Sequence, residues 1–285
     1  MSVDDIYENV KNFDAVVGGM SKCGTTSIVN YLHQHPDIYL PWNSDKNGTY
    51  QFSWNYIRNN KTSFFKKYAK GKTSDEKISV FRSNNIIMDE RILEIYKRNK
   101  DIKIIVLFRD PIKKAYSWYW HDRLKQGIDY SFQESLDKSI FYHRFIELGE
   151  YKKGVKNISN IPDKNKYFIV SEKLWSNFSE EINKLYSFLG VSNFDPELNN
   201  ENKGGKPKSE LINDFMVGKR KIPIVTDNFP SLLSAIRKFS YTFNLEPYPP
   251  MDSKIKEKLV SHFKKENQGL DEMIDVDLSK FWKWW

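Results

Sequence analysis

An α/β fold with a largely parallel central sheet follows from the alternation of short apolar runs with helix-spaced segments. Two runs carry most of that inference. Asp14-Ala-Val-Val-Gly18 leads through a small-residue loop into a helical pattern, and Ile104–Phe108, the longest unbroken apolar run, leads into another. Continuous apolar strands of this kind suit a sheet covered by helices on both faces. No Pro/Ser-rich linker divides the sequence, so residues 1–285 are expected to form one domain.

In chain order, the first strand is followed by Gly19-Met-Ser-Lys-Cys-Gly-Thr-Thr-Ser27 and a helix carrying Ile28, Tyr31 and Leu32 on one face. His35-Pro36-Asp37 stops that helix, because proline disfavours the helical state in the residue before it. Ile38–Leu40 reads as a short strand. Residues 42–84, polar and aromatic with weak periodicity, read as an excursion from the core. A helix at about Asp89–Asn99 precedes the strand at Ile102–Phe108, and a further helix starts after the turn at Asp110-Pro111. Tyr167–Val170 is a buried strand, Glu180–Leu189 an amphipathic helix closed by Gly190, and Asn199–Ser209 a Gly/Lys/Asn-rich loop. The remainder is mostly helical.

Composition narrows the class. With 8 Trp, 16 Tyr and 19 Phe in 285 residues, the chain is too rich in core-forming side chains to be disordered. No run approaches the ~20 apolar residues of a membrane span. The acidic start, MSVDDIYENV, lacks the apolar stretch of a secretion signal, and Cys23 is the only cysteine. A cytoplasmic protein with no disulfide and no zinc cluster is therefore expected. The 45 Lys+Arg against 37 Asp+Glu leave a net charge of +8, which favours anionic ligands without choosing among them. Binding of an anionic polymer through this charge is one reading. The lysines are scattered, however, as on an ordinary solvated surface.

The loop after the first strand is more specific. A strand–loop–helix junction offers free backbone N–H groups and the positive end of a helix macrodipole to an anion. Gly19 and Gly24 keep the G-x-x-x-x-G spacing of a nucleotide triphosphate loop, but Thr25 stands where its lysine would follow and Lys22 lies inside the loop. Thr25, Thr26 and Ser27 add hydroxyls. In the second segment, Phe108-Arg-Asp-Pro-Ile-Lys-Lys-Ala-Tyr-Ser-Trp-Tyr119, Arg109 falls at a strand's carboxyl end and Ser117 on the following helix. An Arg fork with a hydroxyl suits a second phosphate. Alternatively, Arg109 pairs with Asp110 or another carboxylate, or Asp110 serves as the magnesium carboxylate of a P-loop kinase or NTPase.

Together these segments resemble the PAPS-dependent sulfotransferases, in particular their heparan-sulfate-type and bacterial branch. GGMSKCGTTS resembles the family's 5′-phosphosulfate loop, and FRDPIKKAYSWY its 3′-phosphate motif. The likeness extends through YLHQHPDIYLP, through LGEYKKGVKNI with KYFIVSEKLWSNFSEEINKLYSFLGV, and to DLSKFW near residue 282. The resemblance implies a P-loop-kinase-like fold and transfer of a sulfuryl group from 3′-phosphoadenosine 5′-phosphosulfate (PAPS) to a hydroxyl or nitrogen of a small acceptor. The product is 3′,5′-ADP, and no metal, nucleic acid or membrane takes part. It implies that Lys22 acts on the bridging region of the phosphosulfate, that Cys23, Gly24, Thr25, Thr26 and Ser27 surround it, and that Arg109 and Ser117 grip the 3′-phosphate. Lys203, Gly204 and Gly205 fall where the family closes a loop over the nucleotide. Tyr151 is a further nucleotide candidate, or core packing.

The base is less legible. After its second strand the family branch carries Lys-Glu-Pro, whereas here Lys46 is followed by Asn47. Lys46 is expected to supply charge near the sulfuryl group. Asp45 is the nearest carboxylate, and His121, one turn beyond Ser117, the fallback. The aromatics of residues 42–68 and Trp118, Tyr119 and Trp120 are candidates to line the acceptor site or to pack inward.

Overall fold

The computed structural model describes residues 11, 13–43, 48–49, 75–198, 204–216 and 244–285. In chain order its main elements are β1 (Ala15–Val17), α1 (Thr25–Gln34), β2 (Ile38–Tyr39), β3 (Trp42–Asn43), β4 (Gly48–Thr49), β5 (Ile78–Arg82), α2 (Arg91–Arg98), β6 (Lys103–Phe108) and α3 (Pro111–Gln126). There follow α4 (Phe132–Leu136), α5 (Ser139–Phe145), α6 (Tyr151–Asn157), β7 (Lys166–Val170), α7 (Ser171–Ser176) and α8 (Phe178–Leu189). The described chain ends with β8 (Lys206–Pro207), α9 (Glu210–Met216), β9 (Leu245–Glu246), α10 (Ser253–Glu266) and α11 (Leu270–Ile274). They form two compact units, one from Met1–Pro111, Glu150–Asn199 and Phe263–Trp285, the other from Ile112–Gly149 and Asn200–His262.

The first unit holds a five-stranded sheet in the order β2-β5-β1-β6-β7, every neighbouring pair parallel. This is the central parallel sheet flanked by helices that the sequence predicts. Ala15, Val16 and Val17 are fully buried, as are Ile104 to Phe108, so β1 and β6 form the floor of the core. Because β1 lies between β5 and β6, the chain leaves it toward one side and returns on the other. The crevice at the carboxyl end of such a strand is where open parallel sheets take their ligands.

One expectation is corrected here. Residues 42–84 are not wholly an excursion, because Ile78–Arg82 is β5 and lies beside β1, with Ala15 opposite Val80. Its apolar run is broken by Ser79, which hides the strand from a hydropathy reading. In the fold, Asp14 satisfies that buried serine: Asp14 Oδ2 accepts from both the Ser79 amide and the Ser79 hydroxyl at 2.7 Å. A partner 65 residues away makes a polar strand position tolerable in the core.

The second unit is mainly helical. Its core is aromatic, with Tyr116, Tyr119, Trp120, Phe132, Phe141 and Phe145 in mutual ring contact. The short β8–β9 ribbon pairs Lys206 with Glu246.

Candidate functional site

The site is assembled at the carboxyl edge of the sheet in the first unit. Gly18 donates its amide to the Ile105 carbonyl at 2.7 Å and Met20 to Leu107 at 3.1 Å, so the chain leaving β1 runs flush against β6. A Cβ on Gly19 would meet the Leu107 backbone nitrogen and Cβ at 2.6 Å, which leaves no room for a side chain there. The loop then turns through two left-handed residues, Lys22 (φ 69°) and Gly24 (φ 87°). For Lys22 this conformation costs about 1–2 kcal/mol. Gly24 adopts it freely and starts α1.

The result is a ring of amide donors. Among the described residues, no acceptor stands against the N–H groups of Gly24, Thr25, Thr26 or Ser27, while the next amide, Ile28, already bonds the Gly24 carbonyl at 3.1 Å. With the positive end of the ten-residue α1 behind them, these groups form a receptor for an anion.

The loop's shape is fixed from neighbouring strands. The Ser21 amide donates to Asn85 Oδ1 at 3.0 Å, and the Asn84 and Asn85 amide groups reach the Ser21 hydroxyl. Ser171, opening α7 after β7, donates its hydroxyl to the Cys23 carbonyl at 2.5 Å. Cys23 is fully buried, with its sulfur 3.7 Å from the Tyr151 hydroxyl, so within the loop it serves as packing.

Arg82, which the sequence reading missed, ends β5 beneath this ring. Its Nη2 donates to the hydroxyls of Thr25 at 3.2 Å and Thr26 at 3.0 Å, and its Nε to Asn84 Oδ1 at 3.1 Å. These acceptors are all neutral. Burial pulls the guanidinium down to about 10, a penalty of about 3 kcal/mol on the native state at neutral pH. The sign is that of a base with a depressed value: the penalty is present below about pH 10 and fades as Arg82 loses its proton. A buried cation whose partners among the described residues are all neutral, next to an anion receptor, carries a cost that ligand would offset. Arg82→Met is therefore expected to melt no lower than the wild type without ligand, yet to bind 3′,5′-ADP roughly 10-fold more weakly. Thermal unfolding and calorimetry check both halves. The signal that could have revealed it is a cation ending a strand, visible only once β5 is recognised.

Arg109 follows β6, where the sequence predicts it. Its Nη1 donates to the Lys22 carbonyl at 3.2 Å, which ties it to the loop. It forms no ion pair with any described residue, so the alternative in which Asp110 neutralises it does not hold. Asp110 is buried; its Oδ2 accepts the Trp284 indole N–H at 3.0 Å and its amide donates to Glu172 Oε1 at 3.1 Å. Tyr151 is wholly buried and packs on Phe108 and Trp282. Its hydroxyl donates to the Arg109 carbonyl at 2.8 Å, and burial pushes it well above the ordinary tyrosine value. It is a strut behind Arg109 rather than a surface for nucleotide.

In the second unit, Ser117 is buried on α3, and its hydroxyl has no hydrogen-bond partner among the described residues. His121, one turn on, is 41% exposed with Nδ1 3.2 Å from Asp122 Oδ1. That buried carboxylate also binds Arg144 at 3.1 Å. Tyr119 and Trp120 pack inward, whereas Trp118 is half-buried under the Lys114 ammonium. Gly204 abuts Tyr248, whose hydroxyl would lie 2.1 Å from an added Cβ, and Tyr248 stacks on Trp120. Gly205 is also tight, with the Glu246 carbonyl oxygen 2.6 Å from an added Cβ. Asp45, Lys46 and Lys203, with the aromatics at 50–68, lie outside the described residues.

The sulfotransferase domain pattern matches residues 13–203, from the start of β1 to the Gly/Lys-rich loop. Human heparan sulfate glucosamine 3-O-sulfotransferase 3B1 is 23% identical over 252 residues, covering 82% of this chain and 62% of the relative. The mouse 3B1 enzyme is 26% identical over 192 residues, covering 62% of this chain and 46% of the relative. The chain thus spans less than two thirds of the length of these relatives. Among solved structures, a sulfotransferase from Alicyclobacillus acidocaldarius superposes with a TM-score of 0.65 at 20% identity, covering 94% of this chain and 98% of its own. Mouse SULT7A1, complexed with PAP, gives 0.51 at 16% identity, covering 98% and 92%. Both share the fold. With the family pattern spanning β1, the Gly19–Ser27 loop and the Arg109 turn, this chain belongs to the sulfotransferase domain family.

Proposed function

We propose that this enzyme transfers the sulfuryl group of PAPS to a hydroxyl or amine of a small-molecule acceptor and releases 3′,5′-ADP. The observation that carries the reading is the pairing of two candidate anion receptors: the amides of Gly24–Ser27, which have no acceptor among the described residues, and Arg109, which has no carboxylate partner among them, one strand away. A nucleotide with a 5′-phosphosulfate and a separate 3′-phosphate matches two such receptors. SULT7A1, of the same fold, is a PAP complex.

PAPS supplies a sulfuryl group on a phosphate leaving group. In the proposed reaction the acceptor oxygen or nitrogen bonds to sulfur as the bridging S–O bond breaks, and the acceptor's proton passes to a base. Lys22 neutralises the charge that develops on the leaving phosphate. The α1 amides and the Thr25, Thr26 and Ser27 hydroxyls hold the phosphosulfate, while Arg109 binds the 3′-phosphate bidentately. Ser117, Lys203, Gly204 and Gly205 remain nucleotide candidates. Lys46 is assigned to the sulfuryl group, and Asp45 or His121 to the proton. The reading gives a metal no role and favours a reducing, cytoplasmic setting, consistent with the one free cysteine.

Incubation with PAPS labelled at sulfur and a panel of small phenols, alcohols and amines tests this. Label is expected on an acceptor with stoichiometric 3′,5′-ADP. Phosphoryl transfer from magnesium-ATP with no movement of label would overturn it in favour of a kinase.

A further inference from the structure

Three hydroxyls of the loop after β1, those of Ser21, Thr25 and Thr26, each accept from a group at the end of β5 or just after it. Arg82 Nη2 serves both threonines, at 3.2 Å and 3.0 Å. A guanidinium carries five N–H donors and no acceptor, so neither threonine can turn its proton toward it. The usual outlet for a threonine hydroxyl in a helix is a carbonyl three or four residues earlier. Here neither hydroxyl donates to any acceptor among the described residues. Ser21 repeats the pattern. Arg82 Nε donates to Asn84 Oδ1 at 3.1 Å, which fixes that amide with Nδ2 on the Ser21 hydroxyl at 3.4 Å. The Ser21 backbone N–H fixes Asn85 in the same sense, by donating to its Oδ1 at 3.0 Å while its Nδ2 lies 3.3 Å from the same hydroxyl.

We infer that Arg82 is a positioning residue for the 5′-linked anion: by donating to Thr25 and Thr26 it occupies an acceptor side of each and commits both hydroxyl protons to the bound ligand. This deepens the proposed function and rests on its assignment of the phosphosulfate to the Gly24–Ser27 loop. The physical reason is preorganisation. A hydroxyl with no fixed neighbour both donates and accepts, and settling its orientation on binding costs affinity. A donor-only neighbour settles it before ligand arrives, and its charge polarises the O–H into a stronger donor. The threonine pair then suits a group that presents acceptors alone, as a phosphosulfate or a fully ionised phosphate does. Arg82 is buried whereas Thr26 is half-buried, so the cation acts through the hydroxyls rather than by meeting the anion itself.

A mutant cycle between Arg82 and the two threonines separates this role from a direct charge effect. The readout is the preference of the whole chain for 3′,5′-ADP over adenosine 3′-monophosphate, which lacks the 5′-phosphate, measured by calorimetry. Arg82→Met is expected to cut that preference about 10-fold while the affinity for adenosine 3′-monophosphate stays within about twofold. The double change T25V/T26V, which keeps side-chain shape and removes both hydroxyls, is expected to cut it about 30-fold. In that background Arg82→Met is expected to cost no more than about twofold further, because the groups it acts through are gone. A further loss of about 10-fold there would show that Arg82 acts by its own charge, and equal losses for both nucleotides in Arg82→Met would show that it only supports the loop. Either result overturns the inference and leaves the proposed function standing, as does a wild-type preference retained in Arg82→Met. A wild type that binds the two nucleotides equally overturns both. Should T25V/T26V melt too low to titrate, T26V alone serves: the cost of Arg82→Met is expected to fall from about 10-fold to about threefold, and an unchanged cost overturns the inference.

Discussion

Replacing Lys22 with alanine is expected to lower turnover about 100- to 1000-fold with any acceptor the wild type uses, while the fold and nucleotide affinity change little. The expectation rests on what the residue does in the loop. Its backbone holds the left-handed turn, and its carbonyl, not its ammonium, receives the Arg109 guanidinium. Alanine preserves both functions at a similar conformational cost, so the amide ring of Gly24–Ser27 stays formed. What disappears is the ammonium charge carried by the loop. If Lys22 acts on the leaving phosphate, its contribution is made mostly in the transition state, and kcat falls while the KM for PAPS moves much less. Single-turnover transfer at saturating PAPS reads this directly. Turnover within about threefold of the wild type would remove Lys22 from the chemistry.

The second large effect is on binding. Arg109→Ala is expected to weaken 3′,5′-ADP by about 30- to 100-fold, since a charged hydrogen-bonding pair contributes about 2–3 kcal/mol. Affinity for 5′-AMP, which lacks the 3′-phosphate, should change by less than about threefold. Arg109 is tied to the protein through one described side-chain bond, to the Lys22 carbonyl, and the rest of its donor fork has no partner among the described residues. Its removal is therefore a loss to ligand far more than to the fold. Calorimetric titration of both nucleotides separates the two. Equal losses for both would mean that Arg109 supports the loop rather than the 3′-phosphate.

The parts of this site that are legible in sequence are those encoded locally. Gly19 and Gly24 are required by a close approach to Leu107 and by a positive φ, and both lie in one nine-residue stretch beside β1. Arg109 follows the most apolar strand of the chain directly, so its location at the sheet edge needs no knowledge of distant residues. The fold class was readable for the same reason, from strands and helices that alternate along the sequence. The missed features depend on partners far apart in the chain. β5 requires Asp14 to satisfy Ser79, and without that strand Arg82 has no assignable location. Whether Tyr151 meets a ligand or packs in the core is decided by Cys23, Arg109 and Trp282, which surround it. The tryptophans at 282, 284 and 285 have no periodicity that foretells three indole donors for three carboxylates. His121 stood one turn from Ser117 in sequence, but its pairing with the buried Asp122 is a property of the folded helix cluster.

The central claim is that this protein holds a nucleotide by two anion receptors, one for a 5′-linked group and one for a 3′-phosphate. Titration of the wild-type chain with 3′,5′-ADP and with 5′-AMP, under one buffer and salt concentration, measures it most directly. 3′,5′-ADP is expected to bind at least about 30-fold more tightly, the worth of a charged bidentate grip on one phosphate. Equal affinity for the two nucleotides would contradict it.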